Sequence, residues 1–414
     1  MADRLSSETR GTPLLTAAAV ATRLGVKKDT VYAYVSRGLL GRRNGGTGES
    51  LFDPAEVEAL ALRSRKASAP QAVSPVFRSA LTTIVDGTPH YRGLSACDLA
   101  LDRRFEDVVR LLWHGSFEDG GNEPVFPPVR PEPELADIGA RMGRDALPLE
   151  RMRCLVPFIA TEDPLRHDTS HEQVSRKAAR LMVRLLSAMD AMSAPRDSSL
   201  AALIWSRLSP RPATPGLVRA LDATLILAAD HDLGAPSTAA VRLAAAVRAD
   251  IYSVVSVGLN SGGGTVQSAS TLSIESDLFE LNIQQNVGQF VGDTLRHGRE
   301  MQGFGHRAYP HGDPRARLIL DLLRQSGEAA ADIARLDEIV DIQRQRGREP
   351  PNIGFAIAAL VHCAGMRRGS GELIFNCARM AGWVAHTMEE YDAPQPLPRL
   401  KSIYVGPQPA QAIP

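Results

Sequence analysis

Two histidines of this 414-residue chain stand among neighbours that suit a binding site for an anionic substrate. His231 lies between Asp230 and Asp232, at the end of a long apolar segment. His306 lies in a segment bracketed by glycines, which allow a backbone and a ligand to approach closely. Arg315 follows nine residues later, and loop pairs of histidine and arginine often hold anionic substrates. For His231, a buried histidine with a purely structural hydrogen bond is the alternative interpretation.

Arg379 interrupts an otherwise apolar helical stretch, Ala378-Arg379-Met380-Ala381-Gly382-Trp383. A buried guanidinium requires an anionic partner, and the carboxylate of a substrate would serve. Taken with the two histidines and Arg315, this residue predicts a site that binds a di- or tricarboxylate.

The segments that must position these residues have helical patterns. Beyond residue 77 the chain consists mostly of amphipathic stretches of 10–20 residues between proline and glycine breaks, most clearly at 172–192 and 217–229. The apolar run 353–364 is too short to span a bilayer and predicts a buried core helix. Strand signals are few, at 80–85 before the turn Asp86-Gly87 and near 403–405. With aromatic residues at only 5%, the sequence predicts an all-α fold of helices packed on helices.

Composition excludes several classes of protein. Apolar residues make up 44% of the chain, which excludes disorder over most of its length, and the length suggests two or three domains. Lysine plus arginine equals aspartate plus glutamate at 47 each, so no global charge attracts nucleic acid or membrane. Residues 1–66 nevertheless carry a net charge of +4, and a basic arm is a sign of a nucleic-acid module.

The four cysteines show neither the spacing of a zinc site nor that of a redox motif, so no metal is predicted. A disulfide framework is not expected at this length, and a reducing cytoplasm fits this usage. The apolar run 14–21 continues into a periodic helix without a clean cleavage site, which argues against a signal peptide. We therefore expect a cytoplasmic protein without a membrane segment.

The first 65 residues have the order helix, turn, helix, wing, helix. A helix is predicted over 16–24, and a second begins near Asp29 and runs over 30–39. Residues 42–48 form a turn, Leu51-Phe52 is the return strand of a hairpin, and a third helix runs from Asp53-Pro54 through Leu62. Residues 66–76 are a linker by composition.

The segment 17–40, with Ala17-Ala18-Ala19-Val20-Ala21, Leu24-Gly25-Val26 and Thr30-Val31-Tyr32-Ala33-Tyr34-Val35-Ser36-Arg37-Gly38-Leu39-Leu40, resembles winged helix-turn-helix domains of the MerR type. In such domains the second helix enters the major groove. A small helical domain used only for packing or oligomer contacts is the alternative. The side chains predicted to reach phosphates or base edges of DNA are Lys27, Lys28, Thr30, Tyr32, Arg37, Arg42 and Arg43.

The remainder of the chain, from about residue 77 to 407, resembles citrate synthases. The resemblance rests on ordered matches that extend from the first strand signal to the C-terminal region. These are His90-Tyr91-Arg92-Gly93, Asp98-Leu99-Ala100, Phe105-Glu106-Asp107-Val108, Leu111-Leu112-Trp113-His114-Gly115, Ala229-Asp230-His231-Asp232, the segment 303–315, Ala381-Gly382-Trp383-Val384-Ala385-His386 and Tyr404-Val405-Gly406-Pro407.

The resemblance implies an all-helical homodimer whose large and small domains close over oxaloacetate and an acyl-CoA. The large domain would comprise residues 77–267 and 366–407, and the small domain 268–365. No bound cofactor is implied, and acyl-CoA would be a co-substrate or ligand.

In this family a carboxylate removes a proton from the acyl-CoA, and a neutral histidine stabilises the resulting enol. A second histidine polarises the oxaloacetate carbonyl, and arginines hold the carboxylates. By resemblance His231 binds oxaloacetate and His306 polarises its carbonyl. Arg315, Arg379 and Arg399 match the carboxylate-binding arginines, the last of which reaches across from the partner subunit.

Two positions depart from the family pattern. Thr265 stands in Ser261-Gly262-Gly263-Gly264-Thr265, where relatives have the enol-stabilising histidine. Gly354 stands in Asn352-Ile353-Gly354-Phe355, where relatives have the aspartate base. In addition, Ala228 replaces a histidine of many relatives and Pro310 a basic CoA contact.

Three hypotheses for function remain open. The first is a protein that binds oxaloacetate or citrate-like carboxylates and has impaired condensation. It would act as a ligand-responsive DNA-binding regulator through its N-terminal module. The second is an active citrate or 2-methylcitrate synthase with an altered mechanism or substrate. The third is a non-catalytic partner of an active paralogue, in which Arg399 completes the partner's site.

Overall fold

A computed structural model of the chain describes residues 14–44, 49–54, 56, 57, 60, 78–118, 124–143, 145–232, 234–264, 269–284 and 286–393. The described residues form two compact units, one within residues 1–76 and one within 77–397. The predicted boundaries of a large and a small domain at residues 267–268 and 365–366 stay predictions.

In its described residues the N-terminal unit has helices α1 and α2, further helical residues at 54, 56, 57 and 60 within the predicted third helix, and a three-stranded antiparallel sheet. The sheet has the strand order β1-β3-β2, with Leu15 opposite Phe52 and Arg43 opposite Leu51. The Thr16 hydroxyl accepts a hydrogen bond from the amide of Ala19 and so caps the first helix. The elements are β1 (Leu15–Thr16), α1 (Ala17–Leu24), α2 (Lys28–Ser36), β2 (Arg43–Asn44) and β3 (Ser50–Phe52).

The second helix is shifted toward the N-terminus relative to the prediction. It begins at Lys28, so Asp29 lies in its first turn, where a carboxylate is favourable beside the positive end of the helix dipole. It ends at Ser36, because Gly38 adopts a left-handed conformation and the amide of Leu39 bonds back to the carbonyl of Tyr34. The core of the unit consists of Ala17, Val20, Val31, Leu40, Phe52, Val57 and Leu60.

The larger unit opens with a small antiparallel sheet, β4 (Thr82–Val85), β5 (Thr88–Tyr91) and β6 (Leu94–Ser95). Asp86 and Gly87 link the first two strands, and both have positive φ, 49° and 71°. Two successive residues of this conformation make the tight turn that matches the twist of a hairpin. The turn predicted at this place is confirmed.

The other secondary-structure elements in the described part of this unit are helices. In chain order these are α3 (Ala96–Asp102), α4 (Phe105–His114), α5 (Pro133–Arg141), α6 (Pro148–Thr161), α7 (His171–Ser187), α8 (Leu200–Leu208), α9 (Pro215–Ala228), α10 (Pro236–Ala246), α11 (Ile251–Gly262), α12 (Ala269–Gln284), α13 (Val287–Arg296), α14 (Pro314–Ser326), α15 (Ala330–Gln345), α16 (Ile353–Cys363) and α17 (Ser370–Asp392).

Helices α9, α16 and α17 lie in the core, and nearly every residue of each is buried. The predicted helices at 217–229 and 353–364 correspond to α9 and α16, and that at 172–192 corresponds to α7. Burial on all sides explains the apolar sequences of α9 and α16, because a helix without a solvent-exposed face needs no polar stripe. In the part of the chain that the structure describes, no helix is long and apolar enough to cross a membrane.

Candidate active site

The C-terminal end of α9 carries the first histidine of the candidate site. The Tyr91 hydroxyl lies 3.0 Å from the carbonyl oxygen of Ile226 and 2.9 Å from that of Asp230, so strand β5 holds the end of the helix. His231 follows directly and is buried. The apolar helix thus delivers an imidazole to the interior, where its contacts are made by other segments.

Arg379 reaches the same region because α17 approaches the end of α9 closely. The amide of Gly382 donates to the carbonyl of Ala229 at 3.1 Å, and a Cβ at this glycine would lie 2.5 Å from that oxygen. Only glycine allows this contact. One turn earlier, Arg379 Nε donates to the carbonyl of Ala228 at 2.9 Å, and its guanidinium carbon lies 4.8 Å from the centre of the Phe375 ring.

The two predicted histidines come together with Tyr309. Nε2 of His231 lies 2.9 Å from the Tyr309 hydroxyl. The rings of His231 and His306 are 5.2 Å apart edge to face, and those of His306 and Tyr309 are 4.9 Å apart. Three aromatic side chains from two distant segments therefore form one cluster.

The loop that carries His306 is pinned to the residues that precede α16. The amide of Gly305 donates to the carbonyl of Pro350 at 2.8 Å, and Asn352 Nδ2 donates to the carbonyl of Gly305 at 2.8 Å. Gly305 has a φ of +79°, which favours glycine. The amide of Asn352 also bonds to the carbonyl of Gly303, which completes the attachment.

The hydrogen bonds of His306 determine which of its nitrogens carries the proton. Its Nδ1 accepts from the amide of Ala308 at 3.1 Å, so a neutral ring carries its proton on Nε2. Burial lowers the pKa of His306, and the positive charge of Arg315 lowers it further. The residue is therefore a neutral imidazole with an N–H donor, the form that polarises a carbonyl oxygen.

Arg315 is the most deeply buried cation of the cluster and has a dedicated counterion. Its Nε and one terminal nitrogen each donate to an Asp313 carboxylate oxygen at 2.9 Å. Burial raises the pKa of Asp313, but the guanidinium more than offsets this and holds that pKa below its usual value. The guanidinium carbon of Arg315 lies 4.9 Å from the centre of the Tyr309 ring, which places the cation beside the histidines.

The guanidinium groups of this cluster can donate to an anionic ligand even though Asp313 and Asp230 lie near them. Burial lowers the pKa of His231 strongly, and the positive charges of Arg315 and Arg379 contribute in the same direction. Burial also lowers the pKa of Arg379, although the neighbouring Asp230 opposes that shift. Two guanidinium groups and two neutral imidazoles can bind two carboxylates and donate to a carbonyl oxygen between them.

The N-terminal end of α16 lies beside this cluster and contains Gly354. Asn352 caps the helix, with its Oδ1 accepting from the amide of Gly354 at 2.9 Å. Asp313 Oδ2 accepts from the amide of Ile353 at 3.0 Å, which joins the arginine pair to the same helix. At position 354 there is no side chain that could accept a proton.

Two predicted site residues, Thr265 and Arg399, lie outside the described residues. Their assigned roles stay predictions, as do those of His231, His306, Arg315 and Arg379. Within the described ranges, no group of three or more histidine, cysteine, aspartate or glutamate residues could hold a metal ion.

Sequence reasoning assigned no role to Tyr309 or Asp313. Tyr309 follows His306 by three residues, and its importance is visible only through its contacts with His231 and Arg315. Asp313 had a local signal, because an aspartate before the proline of Asp313-Pro314 is a typical helix cap. The Asp313 carboxylate fulfils that role by accepting a hydrogen bond from the backbone amide of Arg315 at 3.1 Å. Its ion pair with the Arg315 side chain is a second role.

The residues predicted to contact DNA lie on α2, at its two ends, and at or just before strand β2 of the N-terminal unit. All of them belong to one small unit, and only Thr30 is partly buried. Lys27, Lys28, Tyr32, Arg37, Arg42 and Arg43 are exposed.

Comparison with known proteins gives a consistent result for the larger part of the chain. The family model described as "Citrate synthase, C-terminal domain" matches residues 72–401. Citrate synthase 2 of Bacillus subtilis is 26% identical over 355 residues, covering 81% of this chain and 95% of that protein. 2-Methylcitrate synthase 2 of Corynebacterium glutamicum is 25% identical over 325 residues, covering 73% and 85%.

Among solved structures, a citrate synthase of Thermoplasma acidophilum in ternary complex with carboxymethyl coenzyme A and oxaloacetate has a similar fold. The TM-score is 0.66 at 22% identity, with 82% of this chain and 96% of that chain covered. The citrate synthase fold predicted from the sequence is therefore confirmed for this chain, and it is mostly helical.

Proposed function

Because this chain belongs to the citrate synthase family, we propose that it binds oxaloacetate or a citrate-like carboxylate, and that ordinary citrate-forming condensation is impaired. The observation that carries the proposal is the contrast between the intact cation and histidine cluster and the glycine at position 354. Carboxylate binding requires the cluster, whereas condensation also requires a base.

In this proposal Arg315 and Arg379 bind the two carboxylates of the ligand. The Nε2–H of His306 donates to the ketone oxygen, and His231, oriented by the Tyr309 hydroxyl, also binds the ligand. The ion pair with Asp313 keeps Arg315 oriented without neutralising every donor, because a terminal nitrogen has no acceptor among the described residues. Acyl-CoA is the second ligand that the family implies.

Condensation would require a carboxylate to remove the α-proton of the acyl-CoA, and the resulting enol to attack the ketone. Loss of a general base lowers a rate by about 10²–10⁴. Loss of an oxyanion donor lowers it by about 10²–10³, and the two losses are not multiplicative. With glycine at 354 and threonine at 265, we expect this chain to bind the carboxylate but to catalyse condensation only very slowly.

Two measurements on the full chain test this proposal. Calorimetry with oxaloacetate and with citrate reports binding, and release of free CoA thiol from acetyl-CoA or propionyl-CoA with oxaloacetate reports condensation. We expect saturable binding and thiol release near background, beside an authentic citrate synthase as a control. Absence of binding would contradict the first part, and turnover within about tenfold of the control would contradict the second.

The second candidate is an active acyl-CoA:oxaloacetate acyltransferase with an altered mechanism or substrate, forming citrate or 2-methylcitrate. The neutral, N–H-donating His306 favours it, since polarising a carbonyl is of use only when the carbonyl reacts. Under this alternative another acid, such as Asp230 or Asp232, supplies the base. Turnover that exceeds background with propionyl-CoA but not acetyl-CoA would support it.

We further propose that the N-terminal unit is a winged helix-turn-helix of the MerR type that binds DNA and responds to the carboxylate. The exposure of six of its seven predicted contact residues supports this role. A mobility-shift assay on random-sequence duplexes, with and without oxaloacetate, tests it. The logarithm of the DNA-binding constant falls linearly with the logarithm of the salt concentration. Replacing Arg37, Arg42 and Arg43 by alanine should reduce the slope of that line by about one per lost phosphate contact.

The homodimer implied by the family stays a prediction, as does the alternative of pairing with an active paralogue. Both place Arg399 in a partner's site. Gel filtration of the chain alone, compared with co-expression beside a second synthase, distinguishes them: a stable self-dimer supports the first and contradicts the second.

A further inference from the structure

A chain of buried hydrogen bonds begins immediately behind the candidate site. Asp230, the neighbour of His231, accepts through Oδ2 from Nε2 of His386 at 2.9 Å. The other ring nitrogen of His386, Nδ1, lies 2.9 Å from Nη1 of Arg242. Because a guanidinium can only donate, Nδ1 is the acceptor and the proton of a neutral ring resides on Nε2. The histidine thus joins a carboxylate to a cation.

The outer end of this chain reaches the first residues of the larger unit. Arg242 donates to Glu389 Oε2 through Nη1 and to the carbonyl of Arg78 through Nη2, both at 2.9 Å. Glu389 in turn accepts from the amide of Ala80 at 2.9 Å. Arg78 and Ala80 come directly after the predicted linker that joins the N-terminal unit to the rest of the chain.

A second connection links the same segment to the site. The Thr82 hydroxyl lies 3.2 Å from the carbonyl oxygen of His231 and 3.2 Å from that of His90. Residues 78–82 are therefore tied at one end to the backbone of His231 and at the other to the chain that starts at Asp230.

The inner end of the chain is electrically coupled to the carboxylate-binding arginine. Burial raises the pKa of Asp230, but His386 and Arg379 more than offset this and hold that pKa below its usual value. The Oδ1 atom of Asp230 is buried and has no hydrogen bond to any described residue. A carboxylate ligand on Arg379 would bring a second negative charge close to Asp230, so the electrostatic surroundings of Asp230 differ between the free and the occupied site.

We propose that His386 is a positioning residue that couples occupancy of the carboxylate site to residues 78–82, the segment through which the N-terminal unit is attached. This inference rests on the proposed function. The side chains of Asp230 and His386 are fully buried, so water cannot replace either partner. Removing one member of such a network leaves an uncompensated buried group, so each member depends energetically on its neighbours.

Amide hydrogen exchange on the full chain measures the coupling directly. Saturation with oxaloacetate, verified by calorimetry on the same sample, should slow exchange of the amides in residues 78–82 by about tenfold. If oxaloacetate binds and these amides do not change, the inference is overturned while the proposed function stands. If oxaloacetate does not bind at all, both are overturned.

Two variants locate the coupling in the named residues. Glu389→Ala removes the contacts to Ala80 and Arg242 outside the site, so oxaloacetate affinity should stay within about twofold while the exchange response is reduced at Ala80, the amide that loses its acceptor. His386→Asn should weaken oxaloacetate binding by about tenfold, because the amide is too short to reach Asp230. His386→Gln, whose amide N–H can reach the Nε2 position, should restore that affinity.

Arg324→Gln serves as the control, because it breaks exposed ion pairs with Asp321 and Asp337 in the same unit but outside the network. Thermal unfolding of each variant separates loss of fold from loss of coupling. A Glu389→Ala protein that is folded and keeps the full exchange response contradicts the proposal, as does a His386→Gln protein that binds no better than His386→Asn.

Discussion

The two halves of the candidate site differ in how completely their side chains are held. On the half proposed to bind carboxylates, each of three charged or polar groups has a contact that orients it: Arg315 has Asp313, Arg379 has the carbonyl of Ala228, and His306 has the amide of Ala308. On the half where the family places its base, the N-terminal end of α16 has a well-formed cap, but position 354 is glycine.

Under the proposed function, anion recognition and carbon–carbon bond formation depend on separable groups. A preorganised set of donors binds a dianion whether or not a base is present. Turnover also requires a general base and a donor that stabilises the enol. Adding a base and an enol-stabilising donor, or removing a cation or a hydroxyl from the proposed carboxylate site, tests this difference.

The largest expected effect comes from supplying the missing groups. Thr265→His combined with Gly354→Asp should raise thiol release by about a hundredfold or more, because a base and an oxyanion donor are added. An aspartate in the first turn of α16 is also favourable beside the helix dipole. Gly354→Asn with the same Thr265→His is the matched control, since it adds volume without a base. No gain over that control would mean that the pocket differs beyond these two positions.

Removal of a cation should produce the next largest effect, and on the other half of the site. Arg379→Met keeps much of the volume and removes the charge, so oxaloacetate affinity should fall by about tenfold to a hundredfold, the value of a charge-assisted hydrogen bond. Calorimetry measures the dissociation constant, with Arg324→Gln as the control for the loss of an arginine elsewhere. An unchanged dissociation constant would place the carboxylate site somewhere else.

The pH dependence of stability tests whether the binding half holds neutral histidines. Burial lowers the pKa of His231 below its ordinary value of 6.5, so the unfolded state binds more protons than the folded state beneath that pH. The free energy of unfolding should therefore fall as the pH drops below 6.5, by about 1.4 kcal/mol per pH unit for this residue. Denaturant unfolding of the wild type and His231→Gln at pH 7.5 and 5.5 measures it. A variant with the same decrease as the wild type would contradict the assignment.

The smallest expected effect isolates one hydroxyl. Tyr309→Phe keeps the ring beside Arg315 and His306 but removes the group that bonds His231, so oxaloacetate affinity should fall by about threefold to tenfold. Calorimetry at fixed pH measures it, and Tyr252→Phe, which removes a hydroxyl bonded to Asp163 elsewhere, is the control. Equal affinity in wild type and Tyr309→Phe would show that His231 needs no such partner.

Local signals predicted much of the fold. Asp86-Gly87 indicated the hairpin, and the apolar periodicities at 217–229 and 353–364 indicated two core helices, because each depends on neighbours a few residues away. The start of α2 was missed, because Asp29 suits both a cap and a first turn, and only the backbone of the folded chain, extended at Lys27 and helical from Lys28, distinguishes them. Tyr309 was missed as a site residue because nothing in its local sequence separates it from a core tyrosine.

By itself, the sequence determined the residue types that could bind a carboxylate, the helices that carry them, and the glycine where a base is expected. Only the tertiary structure decided that His231 and His306, 75 residues apart, lie 5.2 Å from each other. It also decided that Asp313 is the counterion of Arg315, that the proton of His306 resides on Nε2, and that Asp230 is joined through His386 to residues 78–82. Charge state and orientation depend on burial and on distances between remote segments, and these are set by packing rather than by any local pattern.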